Sequence, residues 1–215
     1  MDAILDNLDA YREGFVTTLE LSALSSVLAL VLGTLLAAMR VSPVPTLRAA
    51  GATYVELVRN TPLTVVFFFV VFVLPQLDIL LPYFTFAVIA LTVYHAAFFC
   101  EAVRSGINAV GVGQAEAARS IGLTFGQSLR LVVLPQAFRT VIPPLINVVI
   151  ALIKNSSIAA AFGVIELTAT GTRLANANGD AVLAVLAGVA VCYLILTLPS
   201  GWLAGRVERR LAVAR

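Results

Sequence analysis

Apolar residues in this chain are grouped into long uninterrupted runs and do not alternate with polar positions. Residues 21–39, 79–100 and 181–205 contain no charged side chain over 19, 22 and 25 positions respectively. A helix that crosses a bilayer needs about 20 mostly apolar residues. Each of these three runs therefore predicts a transmembrane helix.

Two further apolar segments are too short to cross a bilayer unaided. Residues 60–77 are uncharged, but their mostly apolar part covers only 12 positions, and residues 140–153 provide 14. At ~1.5 Å per residue, 14 helical residues reach about 21 Å, less than the roughly 30 Å hydrocarbon core. Each segment spans the bilayer only by recruiting a flank. The available flanks are residues 49–58 before the first segment, and residues 131–138 or 156–161 around the second.

These short segments indicate a transport pathway, because irregular backbone at membrane depth is stable only beside protein or water. We predict an all-α polytopic membrane protein with five transmembrane helices. The two cysteines, Cys100 and Cys192, lie inside apolar runs and predict no disulfide.

The composition agrees with a membrane protein and excludes other classes. Hydrophobic residues make up 60% of the chain and charged residues 12%, with a mean hydropathy of +0.98. A soluble domain carries about 25% charged residues, and disorder requires low hydrophobicity. A net charge of +2 is too small for a nucleic-acid-binding surface. The sequence contains neither a GxxxxGK[ST] phosphate loop nor a Cys/His metal-binding spacing, so we expect no cofactor and no metal on this chain.

The distribution of basic residues predicts the orientation of the spans, because Lys and Arg concentrate in cytoplasmic loops. An extracytoplasmic N-terminus and a cytoplasmic C-terminus place 11 of the 14 basic residues inside. These are Arg40, Arg48, Arg59, Arg104, Arg119, Arg130, Arg139, Arg206, Arg209, Arg210 and Arg215; outside are Arg12, Lys154 and Arg173. The asymmetry favours an odd number of spans.

The loop between the third and fourth predicted spans contains a short helix. Residues 106–135 read GINAVGVGQAEAARSIGLTFGQSLRLVVLP, and Gly111 and Gly113 predict a break after the incoming helix. Residues 114–121 then form about two turns. One side of this helix has only small residues, namely Ala115, Ala118 and Gly122. Such a side permits close approach to another surface; the alternative is a capped loop helix that stays in the membrane interface.

The end of this short helix and the start of the next are also predicted. Gly122 suits the left-handed position that follows a helix end. Thr124 and Gln127 fit a capping box, so a second helix is predicted from there to Pro135.

This loop resembles the EAA loop of ATP-binding-cassette (ABC) importer permeases. The family pattern is EAA, three residues, Gly, nine residues, Ile, one residue and Leu-Pro; here Glu116, Ala117, Ala118 and Gly122 match, and residues 132–135 read VVLP, with Val for Ile. The resemblance implies that the short helix contacts a cytoplasmic ATPase. The residues it assigns to that contact are Gln114, Ala115, Glu116, Ala117, Ala118, Arg119 and Gly122.

Three other segments are similar to polar-amino-acid permeases of the same family. Residues 54–63 (YVELVRNTPL) resemble YVELFRGTPL, residues 101–107 (EAVRSGI) resemble EIVRGGI, and residues 152–158 (LIKNSSI) resemble LIKDTSL. The likeness covers roughly residues 15–205. Within the family, residues 39–44 and 105–108 look most like the smaller permease subunit of actinobacterial glutamate uptake systems.

The resemblance implies a type I ABC importer permease fold and a transport subunit that is not an enzyme. Its expected partners are a cytoplasmic ATPase that binds ATP, a second permease that is identical or different, an extracytoplasmic amino-acid-binding protein, and the lipid bilayer of a bacterial cell membrane. We divide the chain into an extracytoplasmic segment (1–14), a five-helix domain (15–205) with a coupling loop (104–139), and a cytoplasmic basic tail (206–215).

Two other functions remain as alternatives to an amino-acid importer for glutamate or a related substrate. An ion-coupled secondary transporter requires an acidic site within the membrane, and the uncharged runs contain no Asp or Glu pair. A membrane scaffold does not account for the alanine-lined loop helix.

Several polar residues are candidates for lining a substrate pathway. His95 lies well inside the third run, where an ionisable group is costly and often functional; the alternative is a neutral imidazole bonded to a neighbouring helix. An undersized helix ends in the polar residues Lys154, Asn155, Ser156 and Ser157. One interpretation is a polar site that lines a cavity; the alternative is a lysine that snorkels to the outer membrane interface.

Two further local interactions are predicted near the cytoplasmic ends of the spans. Thr61 and Pro62 suit the N-cap and first position of a helix, whose amides could face an anionic substrate group. Such a helix start is more often only structural. Glu101 and Arg104, three positions apart, predict an intrahelical ion pair.

Overall fold

The computed structural model describes residues 2–42 and 44–212, and all regular structure within them is helical. The α-helices are α1 (Asp2–Leu5), α2 (Leu8–Val41), α3 (Pro45–Arg59), α4 (Leu63–Phe68), α5 (Tyr83–Asn108), α6 (Val112–Ser120), α7 (Phe125–Ser128), α8 (Leu134–Asn155), α9 (Leu167–Ala177) and α10 (Val182–Ala212). Four shorter helical segments join them. These are π-helices at Phe69–Val73 and Leu129–Val133 and 3₁₀-helices at Pro75–Leu77 and Ser156–Phe162.

In the part of the chain described, four helical segments are long and apolar enough to cross a membrane. They are Leu8–Val41, Tyr83–Asn108, Arg139–Phe162 and Val182–Arg206. They include the three long runs that the sequence predicts, apart from residues 79–82 and 181. The remaining predicted span, around residues 60–77, corresponds to a pair of helices, Pro45–Arg59 and Leu63–Leu77, whose axes are bent by 104°.

The two short apolar segments, residues 60–77 and 140–153, are extended in different ways. The flank at residues 49–58 does not extend the first segment, since it belongs to the separate helix α3. Pro62 explains the break: it has no amide hydrogen and disfavours helical backbone in the residue before it. The second segment is lengthened at both ends, because α8 begins at Leu134 and the 3₁₀-helix continues to Phe162.

The predicted helix end at Pro135 is wrong. Pro135 is the second residue of α8, and the π-helix Leu129–Val133 connects α7 to it. A proline in the first turn removes an amide hydrogen that has no partner within the helix, so the helix continues past it.

The centre of the bundle is the packing of α2 on α5, which in turn packs on α8. Small residues bring these helices together: a methyl group on Gly33 of α2 would lie 2.6 Å from Cβ of Phe99 on α5. Ala29 of α2 and Ala96 of α5 are fully buried. Close packing through small residues is the usual way in which helices associate in a bilayer.

The outward faces of the long helices are apolar. Val27, Val31 and Leu35 form an exposed stripe at four-residue spacing on α2, and Leu183 and Leu198 are exposed on α10. Such surfaces are stable against lipid chains and unfavourable in water. The fold therefore agrees with the integral membrane protein predicted from the composition.

Candidate functional site: a loop helix and an intramembrane polar cavity

The loop helix α6 lies where the sequence predicts it, with one boundary changed. Gly111 is its N-cap and Gly122 has a φ of +90°, so both glycines have their predicted roles. Gly113 was expected to break the incoming helix, but it lies inside α6, which begins at Val112. α5 has already ended at Asn108, so residues 109–111 separate the two helices, and Gly111 is the only one of the two glycines among them.

The faces of α6 differ in exposure. Gln114, Glu116, Ala117 and Arg119 are exposed, whereas Ala118 is buried. α6 packs on the π-helix Leu129–Val133 of its own chain. The side chain of Ala115 lies outside the residues that the structure describes.

One residue of the predicted small side, Ala118, is buried. The exposed described positions of α6 are polar apart from Gly113 and Ala117. The small residue allows α6 to lie close to its own chain.

The capping box after Gly122 is confirmed. The Thr124 amide donates to Oε1 of Gln127 at 2.9 Å, and the Gln127 amide donates to Oγ1 of Thr124 at 3.3 Å. These reciprocal bonds start α7 at Phe125 and fix the direction in which the chain leaves the loop helix.

His95 forms the hydrogen bond to a neighbouring helix that we considered for it. Nδ1 of His95 lies 2.9 Å from the carbonyl oxygen of Leu91, and Nε2 lies 3.2 Å from Nδ2 of Asn155. A carbonyl only accepts and an amide nitrogen only donates, so Nδ1 carries the hydrogen and Nε2 accepts. The ring is therefore a neutral imidazole held between α5 and α8.

His95 and Asn155 line a cavity of about 320 Å³ between these two helices. Its walls are Tyr94, His95 and Phe98 from α5 and Asn147, Val148, Ala151 and Asn155 from α8. Most ligand cavities combine apolar walls with a few convergent polar groups, and two amides and an imidazole provide such groups here. This cavity is the candidate substrate pathway.

The structure does not bring the other predicted pathway residues into this cavity. Lys154 is exposed at the end of α8. Ser156 is buried and donates to the carbonyl of Ile153 at 2.7 Å. Ser157 donates to the carbonyl of Lys154 at 2.8 Å and lines a second cavity of about 600 Å³ together with Thr64 and Arg173.

The predicted N-cap at Thr61 is wrong. Pro62 is the residue that precedes α4, and Oγ1 of Thr61 donates to the carbonyl of Leu57 at 2.8 Å. Thr61 therefore bonds the last turn of α3 and does not provide the start of α4. The sequence signal was ambiguous because a threonine hydroxyl serves both helix ends.

A charged cluster that the sequence does not reveal surrounds Glu101. The predicted pair is confirmed, since Nη2 of Arg104 donates to Oε2 of Glu101 at 2.9 Å. Arg40 of α2 donates to Oε1 of the same carboxylate, and Nη1 of Arg59 of α3 lies 3.9 Å from that oxygen. Only the i,i+3 partner is visible in the sequence, because the other two lie on different helices.

Glu166 is a buried carboxylate that the sequence did not point to. It precedes α9 and accepts hydrogen bonds from the amides of Thr168 and Ala169 and from the hydroxyl of Tyr193, at 2.8–2.9 Å. It is fully buried, and burial raises the pKa of this carboxyl above its ordinary value of 4.5, although these hydrogen bonds oppose that shift. A lone acid between Ile165 and Leu167 was the only signal in the sequence.

Comparison with known proteins adds a family match that covers most of the chain. Residues 29–213 match the family described as "Binding-protein-dependent transport system inner membrane component". The chain is 42% identical to the glutamate transport system permease protein GluC of Corynebacterium glutamicum over 213 residues, covering 94% of this chain and 93% of the relative. It is 39% identical over 208 residues to the probable glutamine ABC transporter permease protein GlnM of Bacillus subtilis, covering 97% and 96% respectively.

A solved structure has the same fold. The crystal structure of an amino acid ABC transporter with histidines contains a chain that superposes with a TM-score of 0.89 at 30% identity, covering 96% of each chain. The overall arrangement of helices thus matches that of a solved chain nearly from end to end.

Proposed function

Because this chain belongs to the family of binding-protein-dependent transport system inner membrane components, we propose that it is the membrane-spanning permease subunit of an ATP-driven importer for glutamate or a related polar amino acid. The observation that carries the proposal is the nearly full-length match to amino-acid permeases. The exposed Glu116 on α6 and the left-handed Gly122 after it support the proposal, because a coupling helix presents polar groups to a cytoplasmic partner.

The partners follow from what the chain does not itself provide. ATP hydrolysis belongs to a cytoplasmic ATPase, because the sequence contains no phosphate-binding loop. A second permease subunit, identical or different, completes the pathway, and an extracytoplasmic binding protein delivers the amino acid. The chain itself forms part of the path of the amino acid and binds no cofactor.

In the proposed topology the chain crosses a bacterial cell membrane five times, if the bent pair of helices counts as one crossing. The N-terminus lies outside and the C-terminus inside, as the basic residues favour. The proposed domain limits stay at 1–14, 15–205 and 206–215, with the coupling loop at 104–139. Helix α2 begins within the first segment, and α10 reaches into the last.

The proposed mechanism couples the loop helix to the bundle. Closure of the ATPases displaces α6 through its exposed residues, and Ala118 passes the displacement to the π-helix beneath it. That π-helix leads directly into α8, which forms one wall of the polar cavity. Movement of α8 relative to α5 then opens and closes the path of the amino acid past His95 and Asn155.

A substitution at Gly122 tests this mechanism. Gly122→Val places a β-branched residue at positive φ, which costs about 1–2 kcal/mol of strain and shifts the conformation of the loop. No atom lies within 4 Å of a Cβ built there, so the effect comes from the backbone alone. We expect ATP-driven glutamate uptake in proteoliposomes to fall by about fivefold or more.

The matched control is Gly126→Ala, which lies in α7 and also has no atom within 4 Å of the added Cβ. It should transport like the wild type. Uptake and binding-protein-stimulated ATPase activity at wild-type levels in Gly122→Val would contradict the coupling role. Uptake that needs an ion gradient and no ATPase would indicate a secondary transporter.

The orientation has a separate test. A cysteine at Ser120 should react with a membrane-impermeant thiol reagent only from the cytoplasmic side, and one at Asn176 only from outside. Labelling in the opposite sense would overturn the orientation and, with it, the contact between α6 and a cytoplasmic ATPase.

A further inference from the structure

Asn147 presents an unpaired side-chain amide in the wall of the cavity between α5 and α8. It lines that cavity, it is exposed, and its side chain has no hydrogen-bond partner among the described residues. Asn155 lines the same cavity, but its Nδ2 already lies 3.2 Å from Nε2 of His95, and Nδ1 of that ring bonds the carbonyl of its own helix. Both ring nitrogens are thus in use, whereas Asn147 still has its donor and its acceptor available.

The depth of Asn147 in the bundle makes an unpaired amide costly. It lies eight residues, or ~12 Å, from Arg139, the charged start of the candidate span Arg139–Phe162. The hydrocarbon core of a bilayer is roughly 30 Å thick, so this depth is well inside it. An amide without a partner costs about 2–7 kcal/mol in an apolar medium. Asn147 is therefore stable at this depth only if water, a ligand or another subunit bonds it.

The shape and lining of the cavity favour a small ligand. Its volume is about 320 Å³, at the lower end of the ~300–1,000 Å³ of small-molecule sites. A helix of another subunit is about 10 Å wide and does not fit into such a volume. Asn147, Ala151 and Asn155 line the cavity at four-residue spacing, so one face of α8 has an amide at each end and a small residue between them.

The absence of charge in the cavity wall indicates which part of an amino acid Asn147 binds. Among the described residues that line the cavity, none is charged, so a side-chain carboxylate has no counter-charge there. The α-ammonium and α-carboxylate of an amino acid carry opposite charges side by side, and these charges offset each other. An amide matches this pair, because Oδ1 accepts from the ammonium and Nδ2 donates to the carboxylate.

We propose that Asn147 binds the α-ammonium and α-carboxylate groups of the transported amino acid and so positions it between α5 and α8. This inference rests on the proposed function and deepens it by assigning a residue that contacts the substrate. The groups that Asn147 binds are common to all α-amino acids. Asn147 therefore supports the binding of glutamate and glutamine equally and does not distinguish their side chains.

Asn147→Leu tests the proposal, because leucine has a similar size and no hydrogen-bonding group. The ligands are free glutamate and free glutamine, and the protein is the purified complex of this permease with its ATPase and partner permease, without the binding protein. Both affinities should fall by about tenfold or more, equivalent to ~1.4 kcal/mol, and the two losses should agree within about threefold. Asn147→Gln keeps the amide and should bind both amino acids more tightly than Asn147→Leu.

Glutarate provides a second readout, because it is glutamate without the α-ammonium group. The wild-type complex should bind glutamate more tightly than glutarate. This preference should shrink in Asn147→Leu, since the amide oxygen that accepts from the ammonium is absent. If Asn147 only maintained the structure of the cavity, the affinities for glutamate and glutarate would fall by the same factor.

The stability of the complex separates a lost ligand contact from a lost structural bond. Asn147→Leu breaks no hydrogen bond among the described residues, so the melting temperature should stay the same or rise. The matched control is Thr197→Val on α10, outside the cavity wall, which removes a hydroxyl that bonds the carbonyl of Tyr193 at 2.8 Å. This control should bind both amino acids like the wild type. If Asn147→Leu does not assemble, the smaller Asn147→Ala provides the same comparisons.

Four outcomes would overturn the inference. Unchanged binding in Asn147→Leu would show that the ligand does not reach Asn147, and a loss confined to one of the two amino acids would show that Asn147 binds a side chain. A lower melting temperature or a lost partner permease would assign the amide to a bond with another subunit. ATP-driven uptake by a wild-type complex that binds no free amino acid would also overturn it. A wild-type complex with neither binding nor uptake would overturn the proposed function as well.

Discussion

Glu101 and Glu166 are carboxylates in two regions of the molecule, and the donors around them are of different kinds. Glu101 is bonded by Arg40 and Arg104, with Arg59 nearby, so the ends of α2, α3 and α5 are joined by charge. Glu166 is surrounded by backbone amides and hydroxyls from α9, α10 and α2, and no cation among the described residues bonds it.

The difference shows two ways of holding helix ends together in an apolar protein. Charge pairing at Glu101 joins side chains that remain partly accessible to solvent. The carboxyl of Glu166 is fully buried, and the groups that donate to it are neutral amides and hydroxyls. The first region connects α2, α3 and α5, and the second connects α9 with α2 and α10.

The largest expected effect comes from removing the carboxylate at Glu101. Glu101→Gln leaves Arg40 and Arg104 beside each other without a counter-charge, at a cost of about 2–3 kcal/mol because the pair is only partly buried. The melting temperature and yield of the detergent-purified complex should both fall. The double variant Arg40→Gln with Glu101→Gln should cost less than the sum of the two single variants; strict additivity would show that the two residues do not interact.

A smaller loss of about 2 kcal/mol is expected for Glu166→Ala. This change removes the side-chain cap of α9 and leaves the hydroxyl of Tyr193 without its acceptor. The cost is below that of Glu101→Gln because the abandoned donors are neutral. Thr172→Ala, an exposed position on α9 whose hydroxyl bonds only its own helix, serves as the control in the same melting experiment. A larger loss for Glu166→Ala than for Glu101→Gln would reverse the ranking.

Tyr193→Phe should have a still smaller effect, about 1 kcal/mol. It deletes the hydroxyl that donates to Oε2 of Glu166 at 2.8 Å and leaves the ring in place. In the Glu166→Ala background the same change should be nearly neutral, because the acceptor is already absent. A full additional loss in the double variant would mean that the hydroxyl acts through Thr168, which lies 3.0 Å away, and not through Glu166.

The smallest effect is a dependence of stability on pH that comes from Glu166. The folded-state pKa of Glu166 is raised by burial above 4.5, so the folded protein binds this proton more tightly than the unfolded chain. The protonated Glu166 contributes fully to the free energy of unfolding when the pH is below the pKa of the unfolded chain. This contribution is lost as the pH rises through the raised pKa of the folded protein. The stability advantage of the wild type over Glu166→Gln should therefore shrink with rising pH in this window, as melting temperatures would show. An advantage that grows with pH would mean that the pKa is lowered.

The elements that were predicted correctly depend on residues close together in sequence. The lengths of the uncharged runs predict the long helices α2, α5 and α10, because crossing a bilayer imposes a minimum apolar length. The left-handed Gly122, the capping box of Thr124 and Gln127, and the pair of Glu101 with Arg104 are all interactions within four residues. Backbone geometry alone fixes which side chains meet at such spacing.

The predictions that were wrong concern the same short range, where two local rules compete. Thr61 has the sequence of an N-cap but bonds back to Leu57, and Pro135 looks like a helix end but lies in the first turn of α8. Gly113 is accommodated inside α6. In each case the residue type permits two local structures, and the packing of the neighbouring helices selects one.

The sequence by itself determined that this chain lies in a membrane, which helices are long enough to cross it, and to which family its loop motif belongs. The tertiary structure decided which polar residues meet: Arg40 with Glu101, His95 with Asn155, and Glu166 with Tyr193, at separations of 61, 60 and 27 positions. Helical periodicity specifies neighbours three or four positions apart and carries no information about which faces of different helices come into contact. That contact depends on how small residues such as Gly33 and Ala96 let α2 and α5 approach, and on where the bend after α3 directs the chain.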